Sequence, residues 1–245
     1  MVTSQKSAPP DAAAPAARVD GRSERWREHR RQRREQLVDA ALRAVAEFGP
    51  EASMEQIAAA AGTAKPKLYR HFADRAELVE AIGTRVAKSI LLRLGNTLDP
   101  RASFRTGLRN GLDAYLAYVG DNPDVVRFLM NNATSADGTS NAIVDNARSI
   151  ARLFVALATS DLEAAHVPTD DAEPLAHALI GAVLGATDWW MLQDVESRMS
   201  RARLVDQLTV MIVGAAEAAL RQWDVALDAD APGFFGGLTA RVDRS

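Results

Sequence analysis

The amino-acid sequence predicts an all-α fold of about nine helices and no β-sheet. Apolar residues recur at intervals of three and four along most of the 245 residues, which is the spacing of a buried helical stripe. No run of useful length alternates between apolar and polar residues, as a half-buried strand would. We expect three helices at the N-terminus, joined by a long helix to a larger helical domain at the C-terminus.

Charge is divided unevenly along the chain, although the formal net charge is only −3. Residues 18–75 carry 13 Lys and Arg against 9 Asp and Glu, whereas residues 76–245 carry 15 against 22. A basic front and an acidic rear predict that nucleic-acid affinity resides in the first domain. The chain has no cysteine, which excludes disulfides and thiolate zinc sites and fits a reducing compartment.

Composition and breaks divide the chain into four regions. The first is rich in alanine, proline and charge, which predicts a disordered tail. The last follows the final apolar stripe and is expected to be flexible. The regions are a disordered tail (1–25), the three-helix domain (26–73), the larger helical domain (74–228) and a flexible tail (229–245).

The chain shows no targeting or membrane signal. No apolar segment follows Lys6, as it would in a signal peptide. His177, Asp188 and Glu217 interrupt the longest apolar stretches, so no membrane span is implied. We expect a cytoplasmic protein with no membrane partner.

The first helix is expected to end at Phe48, before the Gly49-Pro50 break. Arginines crowd its N-terminal approach. Arginine-rich arms beside a DNA-reading helix follow the phosphate backbone or enter the minor groove; the alternative is a solubilising charged tail. A small core should hold this helix against the next two, formed by Leu37, Val45, Phe48, Ile57, Leu68 and Phe72.

The stretch from Ser53 to Phe72 predicts two short helices joined by a sharp turn. Ser53 and Gln56 have the spacing of a capping box. Gly62 ends the first of these helices, because glycine adopts the left-handed conformation that a sharp reversal needs. Leu68 and Phe72, four residues apart, anchor the second. This is the pattern of a helix-turn-helix, whose second helix lies in the DNA major groove.

The outer face of the second short helix is rich in cationic and hydrogen-bonding side chains, which suit phosphate oxygens and base edges. The alternative interpretation is a charged face that is merely solvated. We expect this face, with the turn and the arginines of the first helix, to bind double-stranded DNA. The candidate DNA-binding residues are Arg30, Arg31, Arg34, Ser53, Thr63, Lys65, Pro66, Lys67, Tyr69, Arg70 and His71.

A long fourth helix is predicted to open at Asp74, which Glu77 follows at the spacing of a capping box. It should end near Gly95-Asn96, inside the larger domain. A rigid rod that begins in one domain and ends in another converts a shift at one end into a displacement at the other. Regulation is therefore expected to pass through this helix.

Five further helical segments are predicted, over residues 101–119, 123–132, 141–165, 171–195 and 200–227. The last two are apolar and rich in small residues, which allow helices to approach closely. Two such helices from each of two subunits would form a four-helix bundle, so we expect a homodimer; the alternative is an ordinary intrachain core. The candidate interface residues are Ala178, Gly181, Ala182, Gly185, Gly214, Ala215 and Ala218.

Aromatic residues concentrate in the middle segments, where they would suit a largely apolar ligand pocket. The alternative for any single one is simple core filling. The candidate ligand-binding residues are Phe104, Tyr115, Tyr118, Phe128, Phe154, Trp189 and Trp190.

Catalytic and metal chemistry find little support. The chain has four histidines, and His166 and His177 have no neighbouring nucleophile pattern or glycine-rich phosphate loop. Their spacing matches no tight metal-ligand motif and crosses a break that contains proline. We expect no catalytic residue, no metal and no cofactor, so an enzyme is the weakest of the alternatives.

The run TAKPKLYRHFADRAELVEAI, residues 63–82, resembles the signature of the TetR family of transcriptional regulators. The resemblance implies a homodimeric repressor that binds a palindromic operator and is released by a small-molecule effector, for which the apolar pocket would suit a hydrophobic compound. It also places Arg75 where a basic residue of the family contacts a flanking phosphate.

Two positions depart from that family pattern. Ala64 stands where serine or threonine commonly caps the recognition helix, and Pro66-Lys67 stands where glycine and threonine are frequent. Proline removes an N–H that would otherwise meet a phosphate, whereas the long cationic side chain of Lys67 can reach one. The alternative function is therefore a helical ligand-binding or protein-interaction module with a degenerate DNA-binding head.

Overall fold

The computed structural model describes residues 21–97, 99–132, 142–233 and 237–240. Within these residues the fold is all-α, as predicted, with nine α-helices. The helices are α1 (Gly21–Phe48), α2 (Met54–Ala60), α3 (Lys65–Leu68), α4 (Arg75–Thr97), α5 (Phe104–Asp121), α6 (Pro123–Asn131), α7 (Ala142–Ala164), α8 (Thr169–Leu192) and α9 (Arg201–Leu220). A 3-10 helix (Arg221–Trp223) and two strands, β1 (Val225–Leu227) and β2 (Leu238–Ala240), follow.

Helix α1 begins at Gly21, inside the region predicted to be disordered. Residues 1–20 of that predicted tail lie outside the described residues. The extension is mostly Arg, Glu and Gln, which favour helix and pair across its turns: Arg31 contacts Glu28 at 2.8 Å and Glu35 at 3.2 Å. The prediction of disorder was therefore wrong for residues 21–25, because a packed helix can continue into a stretch with few apolar residues.

The first three helices pack around a common core, and we call them, with the turn that ends at Phe72, the head. Leu37, Val45, Ile57, Leu68 and Phe72 are each at most 1% exposed. These residues occupy the positions that their spacing predicted.

Phe48 was also predicted for this core but is 45% exposed. It is the last residue of α1, and the chain reverses at Gly49, whose φ is +82°. Ala52 and Met54, on the far side of the reversal, close the core instead of Phe48.

The core of the head continues past the predicted domain boundary after residue 73. Leu78 and Ile82 of α4 join it, and so do Tyr118 of α5 and Phe128 and Leu129 of α6. Phe128 is completely buried there. The head therefore shares one packed core with the first helices of the larger domain.

A second core lies between α5, α8 and α9. Leu116, Trp190 and Leu208 are among its buried members. The indole Nε1 of Trp190 donates a hydrogen bond to the carbonyl oxygen of Met199 at 2.7 Å, which satisfies its one polar atom. Helix α7 packs along α8. Residues 133–141, between α6 and α7, lie outside the described part of the chain.

The chain ends in a small β-hairpin that the sequence did not predict. Helix α9 stops at Leu220 rather than at residue 227, and Asp224 adopts a left-handed conformation with φ of 54°. Strands β1 and β2 pair antiparallel, with Leu227 opposite Leu238. The expectations of no sheet and of a flexible tail from residue 229 were wrong for the described residues, because three-residue strands are too short for an alternating pattern. Residues 241–245 lie outside that part.

By length and composition alone, α8 is apolar enough to cross a membrane, and it is the one such helix among the described residues. It packs beside α7 and α9 as a member of the helical bundle. Its apolar residues supply two surfaces, one turned toward the inside of the bundle and one turned outward.

Candidate nucleic-acid interface, internal cavity and outer face

The turn between α2 and α3 has the geometry that its glycine predicted. Gly62 has φ of +61°. The N–H of Thr63 donates to the carbonyl oxygen of Ala58 at 2.9 Å, and that of Gly62 donates to Ala59 at 2.9 Å. These two bonds form a Schellman motif, which fixes the direction in which the chain leaves α2. At the other end of α2, Ser53 and Gln56 form the predicted capping box.

The segment that follows is only partly regular helix. Helix α3 has four residues, but helical hydrogen bonds continue to Phe72, whose N–H donates to the carbonyl oxygen of Leu68 at 3.1 Å. The N–H groups of Arg70 and His71 instead donate to residues three back, at 3.3 and 2.9 Å, which is the tighter 3-10 pattern. Ala64 supplies no side-chain cap. We call residues 65–71 the recognition segment.

The recognition segment carries its cations on the outside. Because Leu68 and Phe72 are completely buried, the remaining side chains must point away from the head. Lys67 and Arg70 are exposed, and so is Pro66. Tyr69 is 39% exposed, whereas Ser53, Thr63 and His71 are half-buried at the edge of the same surface.

Lys65 differs from its neighbours because it has an acidic partner. Its Nζ contacts Glu55 Oε1 on α2 in an ion pair. The hydrogen bond with Glu55 raises the pKa of Lys65, so the ammonium stays charged. The pair reduces the net positive charge that Lys65 presents to a duplex.

Arg34 was predicted to bind DNA, but its contacts are internal. Its Nη1 donates to the carbonyl oxygen of His71 at 2.6 Å and to Glu77 Oε1 at 2.7 Å. Its guanidinium also lies 4.3 Å from the centroid of the Phe72 ring. Arg34 therefore joins α1, the recognition segment and α4, and we correct its role to one of positioning the recognition segment.

Glu77 completes this arrangement at the start of α4. Its second carboxylate oxygen accepts a hydrogen bond from the N–H of Ala73 at 2.6 Å. The Ala73 N–H, and after it the side chain of Arg34, lower the pKa of Glu77. The predicted capping box is thus shifted by one residue: Glu77 N–H donates to Asp74 Oδ1 at 2.8 Å, but the return bond goes to Ala73 rather than to Asp74.

Arg75, predicted to contact a phosphate, also has partners within the protein. Its Nη1 donates to the carbonyl oxygen of Ala52 at 3.1 Å, and its Nε donates to Asn132 Oδ1 at 3.0 Å. Its guanidinium lies 5.2 Å from the Phe128 ring centroid. Arg75 therefore links the head to the end of α6, and we correct its predicted role accordingly.

Four arginines lie around His71 at the end of the recognition segment. Burial lowers the pKa of His71, and the charges of Arg33, Arg30, Arg70 and Arg34 lower it further. Arg33 and Arg30 of α1 are therefore within electrostatic range of the imidazole. The cationic surface of the recognition segment thus continues onto α1.

Spacing shows which face of α1 carries this continuation. Trp26, Arg30, Arg33 and Leu37 follow one another at intervals of four, three and four, so they share one side of the helix. Leu37 on that side packs into the head, and Trp26 is 70% exposed. Arg31, predicted to bind DNA, lies on the opposite side between Glu28 and Glu35.

An elongated cavity of about 270 Å³ lies inside the larger domain. Its lining extends from Phe104 to Tyr115 on α5 and from Ala172 to Leu184 on α8. At 1.5 Å per residue, each stretch is about 16–18 Å long. No charged side chain lines the cavity among the residues that the structure describes. The cavity therefore suits an extended apolar molecule.

The predicted ligand-binding aromatics divide between this cavity and other surroundings. Phe104, Tyr115 and Phe154 line it. Tyr118 and Phe128 belong to the core shared with the head. For these two, the prediction of a pocket role was wrong, because side-chain type does not show which face of its helix a residue occupies.

The two adjacent tryptophans also lie outside the cavity lining. Trp190 is buried in the core between α5, α8 and α9. Trp189 is 49% exposed on the outer side of α8. Neighbouring residues of a helix point about 100° apart, so one tryptophan packs inward and the other faces out. Their predicted role as pocket residues is corrected.

Two side chains with hydroxyl groups, Thr97 and Tyr115, interrupt the apolar lining among the described residues. The hydroxyl of Tyr115 is hydrogen-bonded with that of Thr187, and Thr187 in turn donates to the carbonyl oxygen of Val183 at 2.7 Å. Burial raises the pKa of Tyr115, so its hydroxyl stays neutral. An apolar ligand with one hydroxyl or carbonyl group would match this end of the cavity.

Helix α4 belongs to both the head core and the cavity wall. Its first half contributes Leu78 and Ile82 to the head core, and its second half contributes Leu94 and Thr97 to the cavity. Ile90 does both, since it packs against the head core and lines the cavity. A molecule in the cavity thus contacts the same helix that supports the head.

The small residues predicted for a dimer interface face outward. Those on α8 and α9 are exposed or, for Ala215, half-buried. A Cβ built at Gly181, Gly185 or Gly214 meets nothing within 4 Å. The exposed ones are Ala178, Gly181, Ala182, Gly185, Gly214 and Ala218, and Trp189, Leu192, Val210 and Met211 beside them are 43–75% exposed. We call this surface the outer face of α8 and α9.

The described residues contain no group of three or more His, Asp or Glu side chains that could hold a metal ion. His166 is exposed, and His177 Nδ1 lies 2.8 Å from the carbonyl oxygen of Glu173. Neither has the surroundings of a metal ligand.

Three residues of these sites were not among the sequence-based candidates. Arg33 could have been found from its spacing, because it lies three residues after Arg30 and four before Leu37 and so shares one face of α1 with them. Ile90 lies on the apolar stripe of α4, but a stripe does not reveal that one of its residues contacts both the head core and the cavity. Leu238, a cavity residue on β2, had no signal, because its strand is three residues long.

Comparison with known proteins agrees with both halves of the chain. The family model described as "Bacterial regulatory proteins, tetR family" matches residues 37–82. The model described as "Tetracyclin repressor-like, C-terminal domain" matches residues 93–227, which is more than half of the chain. The first match covers the head from Leu37 onward and the start of α4, and the second covers most of the cavity lining and the outer face.

Relatives are similar over most of their length. An uncharacterized HTH-type transcriptional regulator of Mycobacterium tuberculosis (strain CDC 1551 / Oshkosh) is 32% identical over 201 residues, 81% of this chain and 83% of that one. A tetR-family regulator of Streptomyces coelicolor has a similar structure, with a TM-score of 0.58, 23% identity, and 79% and 88% of the two chains covered. A TetR-like transcriptional regulator of Rhodococcus sp. RHA1 has a TM-score of 0.51 and 26% sequence identity, and the match covers 75% of this chain and 96% of that one.

Proposed function

Because the chain belongs to the TetR family of transcriptional regulators, we propose that it is a homodimeric repressor released from a palindromic operator by a small, uncharged, hydrophobic effector. The observation that carries this proposal is the exposed cationic recognition segment, which buried Leu68 and Phe72 hold on the outside of the head. Its place of action is the cytoplasm, where the operator lies.

The DNA surface has a centre and a flank. Lys67, Tyr69 and Arg70 enter the major groove, because they project from the recognition segment and supply donors for base edges and phosphates. Arg30 and Arg33, beside His71, contact phosphates at the edge of that groove. Ser53 and Thr63 border the same surface, where short hydroxyl side chains reach phosphate oxygens.

The dimer forms through the outer face of α8 and α9, whose small residues let a second copy approach closely. A two-fold axis there presents two recognition segments to DNA. They must then lie about 34–36 Å apart, or a multiple of this, to enter successive major grooves on one side of a duplex. This geometry is the physical reason for a palindromic operator.

The effector occupies the cavity and acts through α4. Ile90, Leu94 and Thr97 line the cavity, and the N-terminal half of the same helix packs into the head core. An effector that fits better with a different position of α4 shifts the heads away from the spacing that the operator requires. By linkage, DNA must weaken effector binding by the same factor.

To test the DNA surface, the protein is titrated across salt on duplexes selected from a random pool. The logarithm of affinity should fall linearly with the logarithm of salt, with a slope of about −0.9 per phosphate contacted. Arg33→Ala should make the slope shallower by about 1. Arg31→Ala is the matched control, because it removes the same charge from the opposite side of α1, and it should leave the slope unchanged.

A flat salt dependence would contradict DNA regulation as the function. Equal effects of Arg31→Ala and Arg33→Ala would contradict the assigned face of α1. If the protein bound apolar ligands yet retained no DNA at low salt, the alternative of a ligand-binding module with a degenerate head would be favoured. The observation that favours this alternative is Ala64, which leaves the start of α3 without a side-chain cap.

A further inference from the structure

The C-terminal hairpin closes one end of the cavity. Three lining residues come from it or from the 3-10 helix before it: Trp223, Leu227 and Leu238. They pack with Val167 and Leu220, at the ends of the neighbouring helices. The match to the C-terminal family domain ends at residue 227, so β2 and its Leu238 lie outside the matched region.

Backbone hydrogen bonds show which end the hairpin closes. The N–H of Arg105 donates to the carbonyl oxygen of Ala229 at 2.9 Å, and its side-chain Nε donates to Asp230 Oδ1 at 2.8 Å. The N–H of Gly233 donates to Arg101 at 3.3 Å. The hairpin is therefore fastened to the start of α5, beside Phe104.

The hydroxyl of Tyr115 lies at the opposite end of the cavity. Tyr115 is eleven residues beyond Phe104 on α5, a distance of about 16 Å along the helix, and it meets Thr187 near the end of α8. The cavity thus has the hydroxyl of Tyr115, backed by Thr187, at one end and the apolar side chains of Trp223, Leu227 and Leu238 at the other.

The wall is a packed part of the fold. Val225 of β1 is completely buried, and the N–H of Asp228 donates to the carbonyl oxygen of Gly237 at 2.9 Å. A Cβ on Gly237 would lie 2.0 Å from the carbonyl oxygen of Asp228. Only glycine permits this approach, so the position of Leu238 is set by the backbone that precedes it.

We propose that the hairpin limits the length of the effector. The effector is an unbranched, uncharged apolar chain whose hydroxyl or carbonyl group lies beside Tyr115 and whose far end stops at Trp223, Leu227 and Leu238. This inference rests on the effector role proposed for the cavity. A charged group inside would lose its hydration with no oppositely charged side chain among the described lining residues, and a longer chain would have to displace packed side chains.

The test uses the straight-chain primary alcohols from octanol to octadecanol as probes, with their affinities for the full-length protein measured by calorimetry. Each added CH₂ should raise affinity roughly fourfold until the chain reaches the wall, after which affinity should fall. Leu238→Ala should move the optimum to alcohols longer by about two or three carbons, because it removes most of a side chain from the wall. Leu238→Phe should move it to shorter alcohols.

Opposite shifts from two substitutions at one position cannot arise from loss of folding, and thermal unfolding of each variant is measured alongside. Leu157→Ala is the matched control, because it removes the same atoms from an exposed position on α7 that is not part of the lining. The chain length of the alcohol that binds most tightly to this variant should equal that for the unmodified protein.

The outcomes separate the wall from the effector. If both Leu238 variants bind with an unchanged optimum, the wall is overturned while an apolar effector stands. If the unmodified protein binds none of the alcohols, the apolar effector is overturned, and the wall with it. If the matching carboxylates bind as tightly as the alcohols, the requirement for an uncharged chain is overturned.

Discussion

The arginines at positions 31, 33 and 34 differ in what their guanidinium groups contact. Arg31 lies between two carboxylates on the solvent side of α1, and such exposed pairs contribute little to stability. Arg33 lies near His71 on the side of the recognition segment. Arg34 bonds a backbone carbonyl and Glu77. Three arginines within four residues thus belong to solvent, to the proposed DNA surface and to the scaffold of the head.

The contact between Arg34 and Glu77 predicts that the stability of the protein depends on pH. The pKa of Glu77 is lowered by the Ala73 N–H and by Arg34. A carboxyl whose pKa is lower in the folded state stabilises the protein above its unfolded pKa of about 4.3. That contribution is lost as the pH falls through its folded pKa. The stability difference between the protein and Glu77→Gln, from urea unfolding, should therefore shrink as the pH falls below about 4.3.

A difference that stayed constant from neutral pH to well below 4 would contradict the assignment of this stabilisation to the Glu77 carboxylate. Glu80→Gln provides the control, because Glu80 is an exposed carboxyl in the next turn of α4. The comparison tests the joint between α1, the recognition segment and α4 in the absence of DNA.

At the scale of elements, α4 packs its first half in the head core and lines the cavity with its second half. Helix α5 also reaches both, through Tyr118 and Tyr115, but α4 is the one of the two that leads directly from the recognition segment. Ile90 is the residue at which the two environments meet. Under the proposed function, an effector that contacts Ile90 would act on the head directly, because the same side chain packs against the core that contains Leu78 and Ile82. Coupling of this kind amounts typically to about 1–3 kcal/mol.

Ile90→Ala should therefore reduce the coupling while the head remains folded. We expect operator affinity without ligand to change by less than about threefold, whereas the loss of operator affinity caused by the best-binding alcohol should weaken by about fivefold or more. Fluorescence anisotropy of a labelled operator, with and without the alcohol, measures both quantities.

Val86→Ala is the matched substitution, because Val86 is buried in the head core on the same helix but does not line the cavity. It should lower stability and leave the coupling unchanged. Equal coupling in the Ile90 variant and the unmodified protein would show that the effector acts through another element.

Local signals allowed most of the head to be predicted from the sequence. Gly62 and the Ser53–Gln56 capping box determine their own geometry through neighbouring residues, and the stripes of α1 and α4 are periodic. Phe48 could not be placed, because its exposure depends on where the chain goes after Gly49. The partners of Arg75 lie far along the sequence, at Ala52 and Asn132, and no local pattern announces them.

The larger domain was predicted less completely for a related physical reason. Its helices followed from periodicity, but Tyr115 and Tyr118 lie three residues apart and enter the cavity and the head core respectively. Which side of α5 faced the cavity was decided by packing with other helices. The hairpin was missed because strands of three residues carry too little pattern and its Gly237 looked like any loop glycine.

At the scale of the whole molecule, the outer face of α8 and α9 exposes several large apolar side chains to water. Exposed apolar patches of this kind mark association surfaces. Leu192 is 75% exposed and Val210 is 68% exposed. The glycines of the same face, Gly181, Gly185 and Gly214, leave room for a second backbone, because a Cβ there would meet open space.

Gly185→Arg should therefore give a monomer. An arginine in the middle of this face would keep two copies apart, and a monomer presents only one recognition segment to the operator, so affinity for a palindromic site should fall by at least about 100-fold. Light scattering after size-exclusion chromatography, with operator titration, measures both effects.

Gly95→Arg is the control for the helix itself. Gly95 is also a helical glycine with nothing within 4 Å of a built Cβ, but it lies at the end of α4. That variant should remain dimeric. Monomeric behaviour of the unmodified protein at micromolar concentration would overturn the proposed assembly.

The core that the head shares with α6 has a further consequence for exchanging modules between regulators. Phe128 and Leu129 complete that core from beyond α4, and Asn131 donates a hydrogen bond to Glu51 at 3.0 Å. A chimera joined at the end of α4 would lack Phe128, Leu129 and Asn131, and the part of the head core that they cover would be exposed to water. A chimera should instead be joined after Asn132. The DNA-binding unit to be transferred then includes α5 and α6, although both helices follow α4 and belong by chain order to the larger domain.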